Sequence, residues 1–304
     1  MEGSETKTKC IILLSSKSSG SSALQNILCM LDSVSHVEAT KHRQNETLYW
    51  VKAASILNRA QCDMLDSEVP IQSKKAKLEL VEFLECNLGR KQAFLNDYQL
   101  IYSGWAQLCS YYSPVFFEKS PHHLHQWSAL ELINQCVKEC PSIEFLFVGL
   151  VRNPMDIIYS RWSGSKTIPE KYQYEWICAY ENFLRFRDKS NTNFVTIKYE
   201  DMIQNVGVLQ PIFDFIGVDE TEVMSNYLHK KALNKWKKDK TYGFVLSKRA
   251  LELGEKLGYR SEEMINDSKL WWPLNRNFIR ARHNVFKPLR LLRRTIRSGL
   301  KAST

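Results

Sequence analysis

The chain lacks any run of ~18 apolar residues, the length a membrane-crossing helix needs, and its first nine residues are polar, with no leader-like apolar core. Neither a membrane span nor a secretory signal is expected. The eight cysteines, at 10, 29, 62, 86, 109, 136, 140 and 178, include no C-x-x-C pair. A zinc site and a disulfide framework are thereby disfavoured, and the thiols suit the reduced core of a cytoplasmic protein. No G-x-x-x-x-G-K-[ST] loop occurs, and no Mg²⁺-binding aspartate closes a strand, which argues against a P-loop kinase. Nucleic-acid-binding modules, internal repeats and low-complexity stretches are also missing. Acidic residues stop at Asp267, whereas nine Lys/Arg lie between Arg276 and Lys301, so the net charge of +9 resides essentially in the tail.

What is present suffices for one substantial core: 304 residues, 44% of them hydrophobic, the size of an ordinary α/β domain with a tail. The chain is organised around residues 10–24. Ile11, Ile12, Leu13 and Leu14 make an aliphatic run too short for a helix and suited to a strand buried on both faces of a parallel sheet. Residues 15–22 are small and polar apart from Lys17, with one glycine, Gly20. Leu24, Ile27, Leu28 and Leu31 then recur at helical spacing. Strand, tight loop and helix start together make an anion site, because backbone amides and the positive end of the helix dipole converge there. A phosphate is the natural ligand, and Lys17, Ser18, Ser19, Gly20, Ser21 and Ser22 are the candidate contacts.

Further strands are expected at 36–39, 115–117, 143–151 and 194–198, with helices at 48–57 and 170–187. The helix behind 115–117 shows Trp127, Leu130, Ile133 and Val137 on one face. Residues 55–112 have helical character, with Leu78, Val81, Leu84 and Leu88 at core spacing, and are expected to form a substrate-side insert. Strands alternating with helices imply an α/β fold with a parallel, P-loop-like sheet flanked by helices, whose ligands sit beyond the strands' C-terminal ends. One domain over 8–260 and a basic extension over 261–304 are the expected boundaries.

Polar motifs fall at those strand ends. Lys17-Ser18-Ser19-Gly20-Ser21-Ser22 puts a lysine before the glycine and hydroxyls after it. Arg152-Asn153-Pro154 ends the strongest strand, and Ser160 follows two helical turns later. A guanidinium and a hydroxyl on one side of a helix are apt for gripping a terminal phosphate. Glu118-Lys119-Ser120-Pro121 leads into His122 and His123, and Tyr199-Glu200-Asp201 follows another strand. Together these segments resemble the sulfotransferases that use 3′-phosphoadenosine 5′-phosphosulfate (PAPS), bacterial-type with features similar to heparan sulfotransferases, over about residues 8–260. The resemblance implies the sulfotransferase fold, a loop at 17–22 on the 5′-phosphosulfate, Arg152 and Ser160 on the 3′-phosphate and Tyr199 near the adenine. It also implies Lys119 near the sulfonate and a closing basic loop with Trp236, Lys237 and Lys238. The family's loop usually carries its basic residue two positions before the glycine; here Lys17 stands three before it and Ser18 occupies that place.

Sulfuryl transfer to a hydroxyl or amine needs a base for the acceptor's proton, and a carboxylate in a partly dry cleft serves. Glu46, just before Tyr49-Trp50, resembles the catalytic glutamate of heparan sulfotransferases. His122 and His123 are the rival bases, although the position of the small-molecule enzymes' histidine, two after the lysine, is here Pro121. Lys17 or Lys119 would stabilise charge on the leaving oxygen, and no metal is required. The expected partner is a small-molecule acceptor, with adenosine 3′,5′-bisphosphate as the other product; sequence-specific nucleic acid is not expected, and the oligomeric state is not legible. A glycan sulfotransferase, a nucleotide kinase and a non-catalytic nucleotide-binding adaptor remain the alternatives. In the tail, Leu289, Leu292, Ile296 and Leu300 alternate with Arg290, Arg294, Arg297 and Lys301, a basic amphipathic pattern expected to dock on its own domain in preference to a membrane.

Overall fold

The structure is a computed structural model that describes residues 7–165, 168–219, 233–267, 269, 271–274, 276–278 and 281; the stripe at 289–301 lies outside them. The described residues fall in two compact units, one drawn from the spans Met1–Arg152 and Glu175–Lys231 and the other from Asn153–Tyr174 and Ala232–Thr304.

The first unit is built on a five-stranded parallel sheet of order β2-β3-β1-β4-β5. β1 (Thr8–Ser15) lies in the middle because its aliphatic run buries both faces; Cys10, Ile11, Ile12 and Leu13 have no solvent exposure. It leads through a tight loop into α1 (Ser21–Leu28) and then β2 (Val34–Ser35). The strand expected at 36–39 is thus a two-residue edge strand slightly earlier, although Val37 is still buried. α2 (Tyr49–Ile56), α3 (Ser73–Leu88) and α4 (Asp97–Tyr111) follow. The span 55–112 is therefore two helices with non-helical connections at 57–72 and 89–96.

α3 corrects the expected core face. Leu78 is 65% exposed and Val81 half-buried, while Ala76, Leu80, Phe83, Leu84, Asn87 and Leu88 face inward. Trp105 of α4 packs against Tyr49 and Trp50 (ring centroids 4.8 Å in both pairs), so this aromatic cluster is core. β3 (Val115–Lys119) then runs beside β1 and is followed by α5 (Pro121–His125), α6 (Trp127–Glu139) and β4 (Ile143–Val151). On α6 Leu130 and Ile133 are buried as expected, whereas Trp127 and Val137 are half-buried. Beyond β4 come α7 (Pro154–Ser165), α8 (Pro169–Lys189), β5 (Asn193–Lys198), α9 (Tyr199–Met202) and α10 (Gln210–Ile216).

Register decides what meets at the sheet's C-terminal edge. Leu13 pairs with Lys119 on one side and Val148 on the other, and Ser15 pairs with Leu150. The loop after β1 consequently emerges level with the ends of β3 and β4. Sheet growth reverses across β1, with β3 on one side and β4 on the other, which is where ligands of such sheets bind.

The second unit holds α7, the start of α8, α11 (Lys235–Lys238), α12 (Lys248–Lys256) and α13 (Ser261–Met264). Its core is aromatic: Tyr242 lies 4.9 Å from Tyr159, 4.8 Å from Trp162 and 5.2 Å from Trp272, centroid to centroid.

Candidate active site

The loop after β1 is shaped by its own hydroxyls. Ser19 Oγ donates to Ser16 O at 2.8 Å, and Ser16 Oγ donates to Tyr180 OH at 3.3 Å, which itself donates to Leu150 O at 3.1 Å. Tyr180, on α8, thereby pins the loop to the end of β4. Ser18 and Gly20 take left-handed backbone conformations, φ 67° and 98°. Gly20 is required for a second reason, since a Cβ there would sit 2.2 Å from Tyr199 Cδ2. Among the described residues, nothing accepts from the amides of Gly20, Ser21 and Ser22. These donors open the first turn of α1, the arrangement that suits an anion.

Cations converge on the same loop. Arg152, buried at the end of β4, donates from Nη1 to Ser18 O at 3.0 Å and lays its guanidinium 4.5 Å from the centre of the Tyr199 ring. Tyr199 is thus clamped between Gly20 and Arg152. Lys119, buried at the end of β3, donates to Ser22 Oγ at 3.2 Å, and Ser22 Oγ donates on to Gln44 Oε1 at 2.9 Å. Burial pushes the Lys119 ammonium below the usual lysine range against the opposing pull of Glu46 and Glu118. Lys17 Nζ donates to Leu65 O at 2.9 Å.

Glu46 stands just before α2 and is held there by the end of β3. Ser120 Oγ accepts from the amides of Thr47 and Leu48, both at 3.0 Å, and Thr47 Oγ1 donates to Glu118 Oε1 at 2.8 Å. His123 Nε2 accepts the amide of Trp50 at 3.3 Å, while its Nδ1 lies 3.5 Å from Glu118 Oε2. The four amides that α2 cannot satisfy internally are in this way largely met by the 118–123 segment and Thr47, whose Oγ1 takes Tyr49 N at 3.0 Å. For Glu118, burial alone would raise the carboxyl; His123, Ser120 and Thr47 outweigh it and hold it below the usual range.

Glu46 itself is shifted up, chiefly by burial, with Lys119 and Lys17 pulling the other way. His122 Nδ1 lies 3.5 Å from Glu46 Oε2, and burial, followed by the charge of Lys17, depresses this imidazole to about 2. It is a neutral neighbour of the carboxylate.

Residues 11–222 match the sulfotransferase family. The chain belongs to that family. Its fold is similar to that of the sulfotransferase domain from the curacin biosynthetic pathway, with a TM-score of 0.53 and 17% identity over 84% of this chain and 98% of that one. No match was found among curated proteins. Sulfonyl transfer is the activity of the family, and it places this sulfotransferase among the transferases.

The remaining predicted residues of the sulfotransferase lie in the second unit. Ser160 is exposed on α7, with its carbonyl accepting from Ser163 Oγ at 3.0 Å. Trp236 is buried, and Lys237 and Lys238 are exposed beside it, the Lys237 ammonium 5.0 Å from the indole centre. Sequence reasoning missed Thr47, Ser120, Gln44 and Tyr180 as parts of the site's frame. Ser120 belongs to the 118–121 motif, but its partners are more than 70 residues away. Among the described residues no group of three or more His, Cys, Asp or Glu could hold a metal, and no helix is long and apolar enough to cross a membrane.

Proposed function

We propose that this chain moves the sulfonate of PAPS to a hydroxyl or amine of a small-molecule acceptor, with residues 8–260 as the catalytic domain. The observation that carries the reading is the convergence on one loop of unsatisfied amides, the Arg152 guanidinium over Tyr199 and the buried Lys119 ammonium. A donor with phosphates at both ends of one nucleoside fits that distribution of positive charge. The glycine that Tyr199 closes upon leaves no room for a side chain in the cradle.

PAPS would supply the sulfonate and a phosphate leaving group. The amides of Gly20, Ser21 and Ser22 hold the 5′ end, with Lys17 and the hydroxyls of Ser18 and Ser19 in the same loop, and Arg152 holds the 3′-phosphate. Glu46 takes the acceptor's proton; its raised carboxyl suits a base in a partly dry cleft. Lys119, aimed at the loop, offsets charge that grows on the leaving oxygen, a role in which loss of one donor costs about 10²–10³ in rate. His122 stands beside the carboxylate as a neutral neighbour. His123 is occupied in capping α2, which favours Glu46 over it as the base.

Calorimetry against adenosine 3′,5′-bisphosphate and ATP tests the donor half. Tight binding of the bisphosphate with weak binding of ATP is expected; the reverse order would replace the reading by a nucleotide kinase. Incubating the protein with PAPS and a panel of phenols, alcohols, amines and sugars, read by mass spectrometry for a gained SO₃ group, tests the acceptor half and separates small metabolites from glycans.

A further inference from the structure

The start of the basic extension is not folded away. Residues 272–274, 276–278 and 281 are helical, and three large apolar side chains here face water: Trp271 is 75% exposed, Leu274 62% and Phe278 68%. Trp271 stands in the turn before the first helical residues, and Leu274 and Phe278 follow within seven positions, so the three lie along one short stretch. Other side chains of the same stretch are tied to its own unit. Trp272 is buried against Tyr242 and Trp162, and Arg276 Nη1 pairs with Glu170 Oε1 at 3.2 Å. The stretch is therefore held in place while presenting an apolar row outward, the arrangement that marks an interaction surface in place of scattered exposure.

Charge selects the partner. Nine Lys/Arg lie from Arg276 to Lys301 with no acidic residue among them, interleaved with Phe286, Leu289, Leu292 and Ile296. A nucleic acid would engage the cations and leave the aliphatic groups in water. A bilayer interface takes both, with indole, phenyl and aliphatic groups at the acyl boundary and cations among anionic headgroups. We propose that this segment docks the protein on the surface of a membrane rich in anionic lipid, with Trp271, Leu274 and Phe278 as its apolar anchors. The proposal stands apart from the assignment of donor and acceptor.

Co-sedimentation of the full chain with vesicles tests it, using pure phosphatidylcholine and phosphatidylcholine mixed with phosphatidylserine. At least about tenfold stronger binding to the anionic vesicles is expected, weakening with salt. Combined Trp271→Ser, Leu274→Ser and Phe278→Ser should lose about tenfold of that binding with an unchanged melting temperature, because the side chains are solvated in the folded chain. Absence of vesicle binding overturns the proposal, as does equal binding to both vesicle types or undiminished binding by the triple variant. A triple variant with a lowered melting temperature would instead show that the row packs on the protein itself, and would overturn it too.

Discussion

Arg152 joins three features of the site: it directly follows β4, bonds the loop at Ser18 and covers the ring of Tyr199. A lysine can supply the charge but neither the planar fork nor the stacking. Arg152→Lys is accordingly expected to weaken adenosine 3′,5′-bisphosphate binding roughly tenfold or more by calorimetry, with a small change in melting temperature. Glu46 gives a prediction in which activity and stability move oppositely. Its carboxyl is raised above the unfolded value, so the folded state binds the proton more tightly and loses stability as pH rises through that window. Glu46→Gln should therefore melt higher than the parent at neutral pH, with the gain vanishing below the ordinary glutamate range. The same variant should lose about 10²–10⁴ in kcat while its donor affinity is retained. In the parent, the acid limb of the kcat profile should fall above the usual glutamate value.

At the scale of elements, the site depends on one end of β3 capping one end of α2. Ser120 Oγ takes two amides, and Glu118 fixes the threonine beside them. Ser120→Ala leaves those buried donors unmet and is expected to cost about 1–2 kcal/mol in a denaturant titration. It should also lower kcat, because Glu46 is adjacent to the released turn, and leave binding of the bisphosphate at the loop unchanged. Elements also show where sequence patterns mislead. On α3 the apolar repeat pointed to Leu78, yet Asn87 takes the inward position by bonding Ala39 N, Ala39 O, Phe83 O and Tyr112 OH, at 3.1, 2.7, 2.8 and 2.8 Å. A satisfied amide is as buriable as a leucine, and periodicity counts it as polar. The two-residue β2 lies earlier than the expected strand for a related reason, since Val37 is buried without pairing in the sheet.

For the whole molecule, ligand binding and folding are linked. A bisphosphate that binds the folded chain alone adds about 2.7 kcal/mol at about 100 times its Kd. Melting curves should thus rise by several degrees with adenosine 3′,5′-bisphosphate and respond little to AMP, which lacks the second phosphate that Arg152 would grip. No rise at saturating bisphosphate would remove the donor assignment while leaving the membership of the family intact.

The strand, loop and helix over residues 8–28 were legible from the sequence because everything that specifies them is local: a short aliphatic run, small residues and a helical stripe. The same holds for the motifs at 118–121, 152–154 and 199–201, and for the charge of the extension. What only the tertiary structure decided is the company those motifs keep. Register brings Lys119 level with the loop, the sheet order sets Arg152 against Ser18, and Tyr199 comes to rest on Gly20. The cap that holds Glu46 joins residues more than 70 positions apart. Such contacts arise from chain closure over long separations and leave no periodicity behind, so a linear pattern cannot encode them.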